Sequence, residues 1–170
     1  MFTHSYLIWV VSEKTMRKWL VACSFVALAG GSVSTNAALL TTGQAGHPAN
    51  PPYGGFLCAD VSAGSTRSGT PIQVFDCTGA PNQQFEFNSL TIYPLGGQGC
   101  MDVSGGRTTD GTPVQFWTCN GTRAQQWTYD NGSIVNLNSN KCLDATNLNN
   151  GSQLVINTCN GSASQNWQIK

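Results

Sequence analysis

Charge is scarce in this 170-residue chain: 9% of residues are Asp, Glu, Lys or Arg, against roughly 25% in an average protein. The eight basic residues balance the eight acidic ones. With no cluster of Lys and Arg there is nothing to neutralise a phosphate backbone, and nucleic acid is excluded as a partner. Histidine is nearly missing too; beyond the N-terminal segment only His47 remains. Nucleophilic catalysis that relies on a histidine base therefore lacks its base. Glu86 is the only glutamate of the same region, and no loop is acidic enough to cage calcium. The apolar run at residues 19–29 is far shorter than the roughly 20 residues needed to cross a bilayer, so no membrane span is expected. No stretch beyond residue 53 sustains a helical period.

The N-terminal run reads instead as a secretory signal. Arg17 and Lys18 form a short positive region, the apolar run follows, and small residues lead to Asn36 and Ala37; this is the order of a signal peptide over residues 1–37, with Met16 the natural start and cleavage near Ala37 or Ala38. Cys23 would leave with it. Residues 38–52 have no period and contain Pro48, Pro51 and Pro52, as expected of a flexible leader; the alternative is that part of the segment supplies a first edge strand.

What the chain has in abundance is repetition. Residues 100–127 read CMDVSGGRTTDGTPVQFWTCNGTRAQQW, and weaker copies flank them at 58–85 and 142–167. The leading cysteines, Cys58, Cys100 and Cys142, stand 42 residues apart, and Phe85, Trp127 and Trp167 close the copies. A period near 40 marks a supersecondary unit that buries its apolar face only against its neighbours, and this length holds one such domain, residues 53–170. Six cysteines allow fifteen connectivities. Because every copy must solve the same packing problem with its own pair, the repeat singles out Cys58–Cys77, Cys100–Cys119 and Cys142–Cys159, formed in an oxidising compartment. Zinc is the alternative, and it fails for lack of histidine and of closely spaced cysteine pairs.

Short apolar runs alternate with turn dipeptides at Asp110-Gly111, Asn120-Gly121, Asn131-Gly132, Asn150-Gly151 and Asn160-Gly161, which predicts an all-β domain. Four of these Asn-Gly steps are also glycosylation sequons; turn chemistry explains them without sugar. In the central copy Val114 and Phe116 alternate with Gln115 and Trp117; Ile72 and Val74 alternate with Gln73 and Phe75 in the first, and Leu154 and Ile156 with Val155 and Asn157 in the third. Alternate strand residues face opposite sides. The uniformly apolar set faces the core, and the other face then presents Phe75, Trp117 and Asn157. An outward ring calls for a partner outside the core.

The pattern Cys-x-Asp, then Gln-x-aromatic-x-Cys, then Gln-x-Trp, in register three times over residues 53–170, resembles the ricin B-type lectin family, the β-trefoils also called family 13 carbohydrate-binding modules. The resemblance implies twelve strands around a pseudo-threefold axis, up to three shallow pockets for galactose-type sugars, and no cofactor. A sugar ring offers hydroxyls to a carboxylate and amides, and an apolar C–H face to an aromatic ring. Carried onto this chain, Asp60, Gln73, Phe75 and Asn82 would form the first pocket with Gln83 behind. Asp102, Gln115 and Trp117 would form the second with Gln125 behind, Ala124 replacing the Asn. The third retains Asp144 and Gln165, while Val155, Asn157 and Ser164 stand at the other positions, so a weak or dead pocket is expected. The three aspartates have a plainer reading as turn caps, and Trp117 one as packing beneath a loop. Phe85, Trp127 and Trp167 are expected in the core.

Enzyme activity is not expected: the recurrent aspartates are placed apart by symmetry, whereas a glycosidase needs two carboxylates about 5–10 Å apart. The expected protein is a secreted, monomeric lectin for galactose-type glycans or polysaccharides. The alternatives are an accessory module whose catalytic part lies on another chain or has been lost, and a protein-binding or protease-inhibiting trefoil. A propeller is excluded, since three copies fall short of its usual four to eight blades.

Overall fold

Twelve strand positions, four to a repeat, arise from the alternation described above. The computed structural model describes residues 37–45 and 55–170. The first repeat contains β1 (Ala37–Ala45), β2 (Phe56–Val61), β3 (Thr70–Asp76) and β4 (Gln84–Asn88). The second contains β5 (Thr91–Pro94), β6 (Cys100–Val103), β7 (Thr112–Trp117) and β8 (Trp127–Asp130). The third contains β9 (Ser133–Asn136), β10 (Lys141–Asp144), a third strand divided at Leu154 into β11 (Ser152–Gln153) and β12 (Val155–Asn157), and β13 (Trp167–Ile169). Between them lie turns and single 3-10 turns; no α-helix occurs among the described residues, and no helix there is long and apolar enough to cross a membrane.

The first and last strands of the repeats build a barrel-like sheet. β1 pairs with β4, β2 and β13, β4 with β5, and β8 with β9. Backbone bonds from Trp127 to Leu90 and from Trp167 to Gly132, each 2.7 Å, carry the wall across the remaining joints. The β8–β9 hairpin turns through Asn131 and Gly132, both with positive φ, as a two-residue loop matching the strand twist requires. The middle strands form three hairpins, β2–β3, β6–β7 and β10–β12. These hairpins close on one another in a ring: β3 pairs with β7, β7 with β12, and β11 with β3. At their meeting point Ile72, Val114 and Leu154 are fully buried, with Leu154 donating to Ile72 and Val114 to Leu154, both at 2.8 Å.

The core follows the alternation. In β3 Thr70, Ile72 and Val74 are buried while Phe75 is exposed, and in β7 Thr112, Val114 and Phe116 are buried while Trp117 is exposed. Phe85, Trp127 and Trp167 are buried. The indole N–H groups of Trp127 and Trp167 donate to the carbonyls of Met101 and Leu143 at 3.0 and 2.9 Å, as a buried indole requires. The three disulfides join Cys58–Cys77, Cys100–Cys119 and Cys142–Cys159, one inside each repeat.

The flexible leader expected over 38–52 is corrected over its first part. Residues 38–45 belong to β1, bonded to three neighbouring strands rather than lying at an edge. The rest of that segment, 46–52, and the signal segment up to residue 36 lie outside the described residues.

Candidate functional site

Each repeat builds the same polar hub. An aspartate near the end of its second strand is buried, Asp60, Asp102 and Asp144 each being at most 5% exposed. Behind it stands a glutamine held by the 3-10 turn that precedes the last strand: Pro81–Gln83, Arg123–Gln125 and Ala163–Gln165. Gln83, Gln125 and Gln165 donate from Nε2 to the aspartate Oδ2 at 3.0, 3.0 and 2.9 Å. The same nitrogens reach the carbonyls of Asp76, Thr118 and Thr158 at 2.9, 3.0 and 3.1 Å. Their Oε1 atoms accept from the backbone N–H of Thr78, Asn120 and Asn160 at 2.7, 2.8 and 2.9 Å. The buried carboxylates are thereby satisfied, which the cost of an unpaired buried charge demands.

The three hubs differ in front. In the first repeat Gln73 donates to Asp60 Oδ1 at 3.1 Å, and Asn82 Nδ2 donates to Asp60 Oδ2 at 2.7 Å and to the Val61 carbonyl at 3.3 Å. Burial pushes the Asp60 carboxyl up, and the bonds from Gln83, Gln73 and Asn82 only partly offset it. In the second repeat Gln115 donates to Asp102 Oδ1 at 3.0 Å, and Ala124 has no amide to add. Asp102 has two side-chain donors where Asp60 has three, and the space of the missing amide is open. There a cleft of about 530 Å³ is lined by Asp102, Gln115 and Trp117, by Ser104, Gly105 and Gly106, by Asn120, Thr122, Arg123 and Ala124, and by Asn138.

In the third repeat the loop is shorter, its cysteines standing 17 positions apart against 19 in the first. Asp144 pairs with Val155 across the hairpin, where Asp60 and Asp102 pair with Gln73 and Gln115. Asn157, at the place of the aromatic ring, donates to Asp144 Oδ2 at 3.0 Å, and the Thr146 N–H donates to Oδ1 at 2.7 Å. Burial raises the Asp144 carboxyl, but bonds from Asn157, Gln165 and Thr146 outweigh it and hold the group below its ordinary value. This aspartate caps its own turn.

The outward rings lie where alternation puts them: Phe75 is 40% and Trp117 38% exposed. Trp117 also rests against the neighbouring repeat, since a Cβ on Gly69 would stand 3.6 Å from its ring. Sequence reasoning missed the walls. Arg123, Asn120, Thr122 and Asn138 line the second cleft, although the sequence marked none of them as a sugar contact and Asn120 only as a turn residue and sequon; Arg123 carried a signal, being a charge in a chain with few, at a position filled by Pro81 and Ala163 in the other copies. Among the described residues no group of three His, Cys, Asp or Glu side chains could hold a metal ion.

Three hairpins closed around an axis over a barrel-like sheet, each bearing a buried carboxylate under an amide frame, define a β-trefoil of carbohydrate-binding type. Residues 53–167 match the ricin-type β-trefoil lectin domain, and the chain belongs to that family. Comparison with curated proteins gave no match. Among solved structures, the designed threefold-symmetric protein ThreeFoil is 22% identical with a TM-score of 0.67, covering 79% of this chain and 97% of its own. The agglutinin from Abrus precatorius is 24% identical with a TM-score of 0.66, over 83% of this chain and 50% of that one. A non-toxic homologue of type II RIPs from Momordica charantia (bitter gourd), solved with α-methyl-D-galactoside, is 28% identical with a TM-score of 0.60, over 66% of this chain and 43% of that one. The chain thus spans about half or less of the two plant proteins. Family and fold together give it a carbohydrate-binding role.

Proposed function

We propose that this protein is a secreted lectin that binds galactose-type or related sugars without chemistry, chiefly through the second-repeat cleft and secondarily through the first. One observation carries the reading: Asp102, its carboxylate oriented by Gln115 and Gln125, shares an open cleft with the exposed Trp117 ring. A carboxylate with acceptor capacity left takes sugar hydroxyls, and the indole face takes the C–H surface of the ring. The galactoside held by the Momordica relative supports the sugar class. In the first repeat Phe75 and Asp60 offer the same pairing in less space, because the Asn82 amide already sits on the carboxylate. In the third, Asn157 closes the aspartate and leaves no ring. Three disulfides form and persist in an oxidising compartment, which supports the reading of residues 1–37 as a secretion signal.

The test is retention on immobilised galactose. Trp117→Ala combined with Phe75→Ala should abolish it while far-UV circular dichroism and the thermal midpoint stay close to the parent, both side chains being outside the core. Retention by the double variant would overturn the reading. Free galactose or lactose should elute the parent protein; binding to a target that neither sugar displaces would favour a protein-binding trefoil.

A further inference from the structure

The second cleft differs from its symmetry mates in charge. Arg123 lines it, where the other repeats have Pro81 and Ala163, and Arg107 directly follows its lining residues Ser104, Gly105 and Gly106, where the first repeat has Ser65. Both are exposed. Neither is paired with a carboxylate, since the ion pair found among the described residues joins Lys141 to Asp110. Each is nevertheless held in place: Arg123 Nη2 donates to the Leu137 carbonyl at 2.8 Å, and Arg107 Nε to the Ser104 carbonyl at 3.3 Å. A guanidinium carries five N–H donors in a rigid fork, so one anchoring bond fixes its position and leaves most of its donors available.

The rest of the domain makes this placement more telling. From residue 37 onward the chain has five basic residues, Arg67, Arg107, Arg123, Lys141 and Lys170, against seven acidic ones; Arg123 lines this cleft, and Arg107 is next in sequence to its lining residues Ser104, Gly105 and Gly106. The acid on its floor, Asp102, has one oxygen bonded to each of two amide nitrogens. Those amides fix the carboxylate for hydroxyl groups, while the Arg123 guanidinium lines the same cleft.

A guanidinium beside a hydroxyl-binding floor is suited to a planar or tetrahedral oxyanion on the same ring. We propose that the second cleft selects acidic saccharides: the neutral part of a galactose-type ring lies against Trp117 and Asp102, and a carboxylate or sulfate on that ring meets Arg123. This rests on the lectin reading above and narrows its ligand class.

Titration calorimetry with three probes tests it: galactose, galacturonate and galactose 6-sulfate. At low ionic strength the parent protein should bind at least one acidic sugar about tenfold more tightly than galactose, the scale of one charge-assisted hydrogen bond. That ratio should shrink as salt screens the exposed charges. Preference for galacturonate alone or for the sulfate alone tells which oxyanion fits. Arg123→Gln should bring the ratio to about one, and Arg123→Lys should keep part of it. Galactose binding with no acidic preference, or a preference that survives Arg123→Gln, overturns this inference and leaves the lectin reading standing; no binding of any probe overturns both. Loss of the ratio in both variants together with a lowered thermal midpoint would assign Arg123 to holding the Leu137 loop, and would also overturn the proposal.

Discussion

Asp60 and Asp144 occupy equivalent places in the fold and are pushed in opposite directions. For Asp60, burial dominates over three amide bonds and pushes the carboxyl above its ordinary value; for Asp144, burial is outweighed once Asn157, Gln165 and the Thr146 N–H all donate to it. The signs follow from linkage. A raised carboxyl means the folded state holds its proton longer than the unfolded chain, so Asp60 favours folding at low pH, and that contribution is lost as pH rises through its window. A lowered carboxyl means the reverse: Asp144 contributes stability above the unfolded value, lost as pH falls through the folded one. Carboxyl resonances followed by NMR on acidification should therefore show Asp60 taking its proton at a higher pH than Asp144. The opposite order would mean that the Asn82 amide binds Asp60 more tightly than this geometry implies. The sequence made the three aspartates and their glutamines legible because register alone brings them together. It did not reveal that Asn157 bends onto Asp144, because alternation says which way a residue points, and side-chain reach decides what it touches.

Whole strands were legible in proportion to how unequal their two faces are. β3 and β7 each have one buried and one outward face, and their alternation names both. β1 has no such contrast: it is bonded to β2, β4 and β13, and Leu40, Thr41 and Thr42 in succession are buried. A strand enclosed on both sides loses the period-two signal, which is why AALLTTGQA read as a leader. The β5–β6 connection carries another constraint without a sequence signal. A Cβ on Gly99 would collide with the ring of Phe116, which is 2% exposed and enclosed in the core. Gly99→Ala is expected to lower the unfolding free energy by about 1–3 kcal/mol, the usual cost of overpacking, in a urea titration with an unchanged slope. A neutral result would show that the ring can yield.

At the scale of the molecule, covalent and non-covalent links are divided between different jobs. Each disulfide lies within one repeat, whereas the β3–β7–β12 ring, the β11–β3 pairing and the barrel joints run between repeats. Repeats that bury their apolar faces only against one another cannot unfold singly. The third repeat, whose own aspartate is closed, still serves the second: Asn138, just before β10, lines the second cleft and donates to the Gly106 carbonyl at 2.9 Å, and Leu137 accepts from Arg123. Removing its disulfide with Cys142→Ala and Cys159→Ala should therefore act on the whole protein. In the chain-entropy account a loop of this size is worth about 3 kcal/mol, and denaturant titration should show that loss within one transition, seen alike by fluorescence and circular dichroism. If the second cleft binds sugar as proposed, the sugar should raise the midpoints of variant and parent alike, because a ligand that binds only the folded state stabilises all that folds with it. Two separated transitions, with the second cleft still binding sugar after the first, would show that the third repeat is neither its wall nor part of its folding unit.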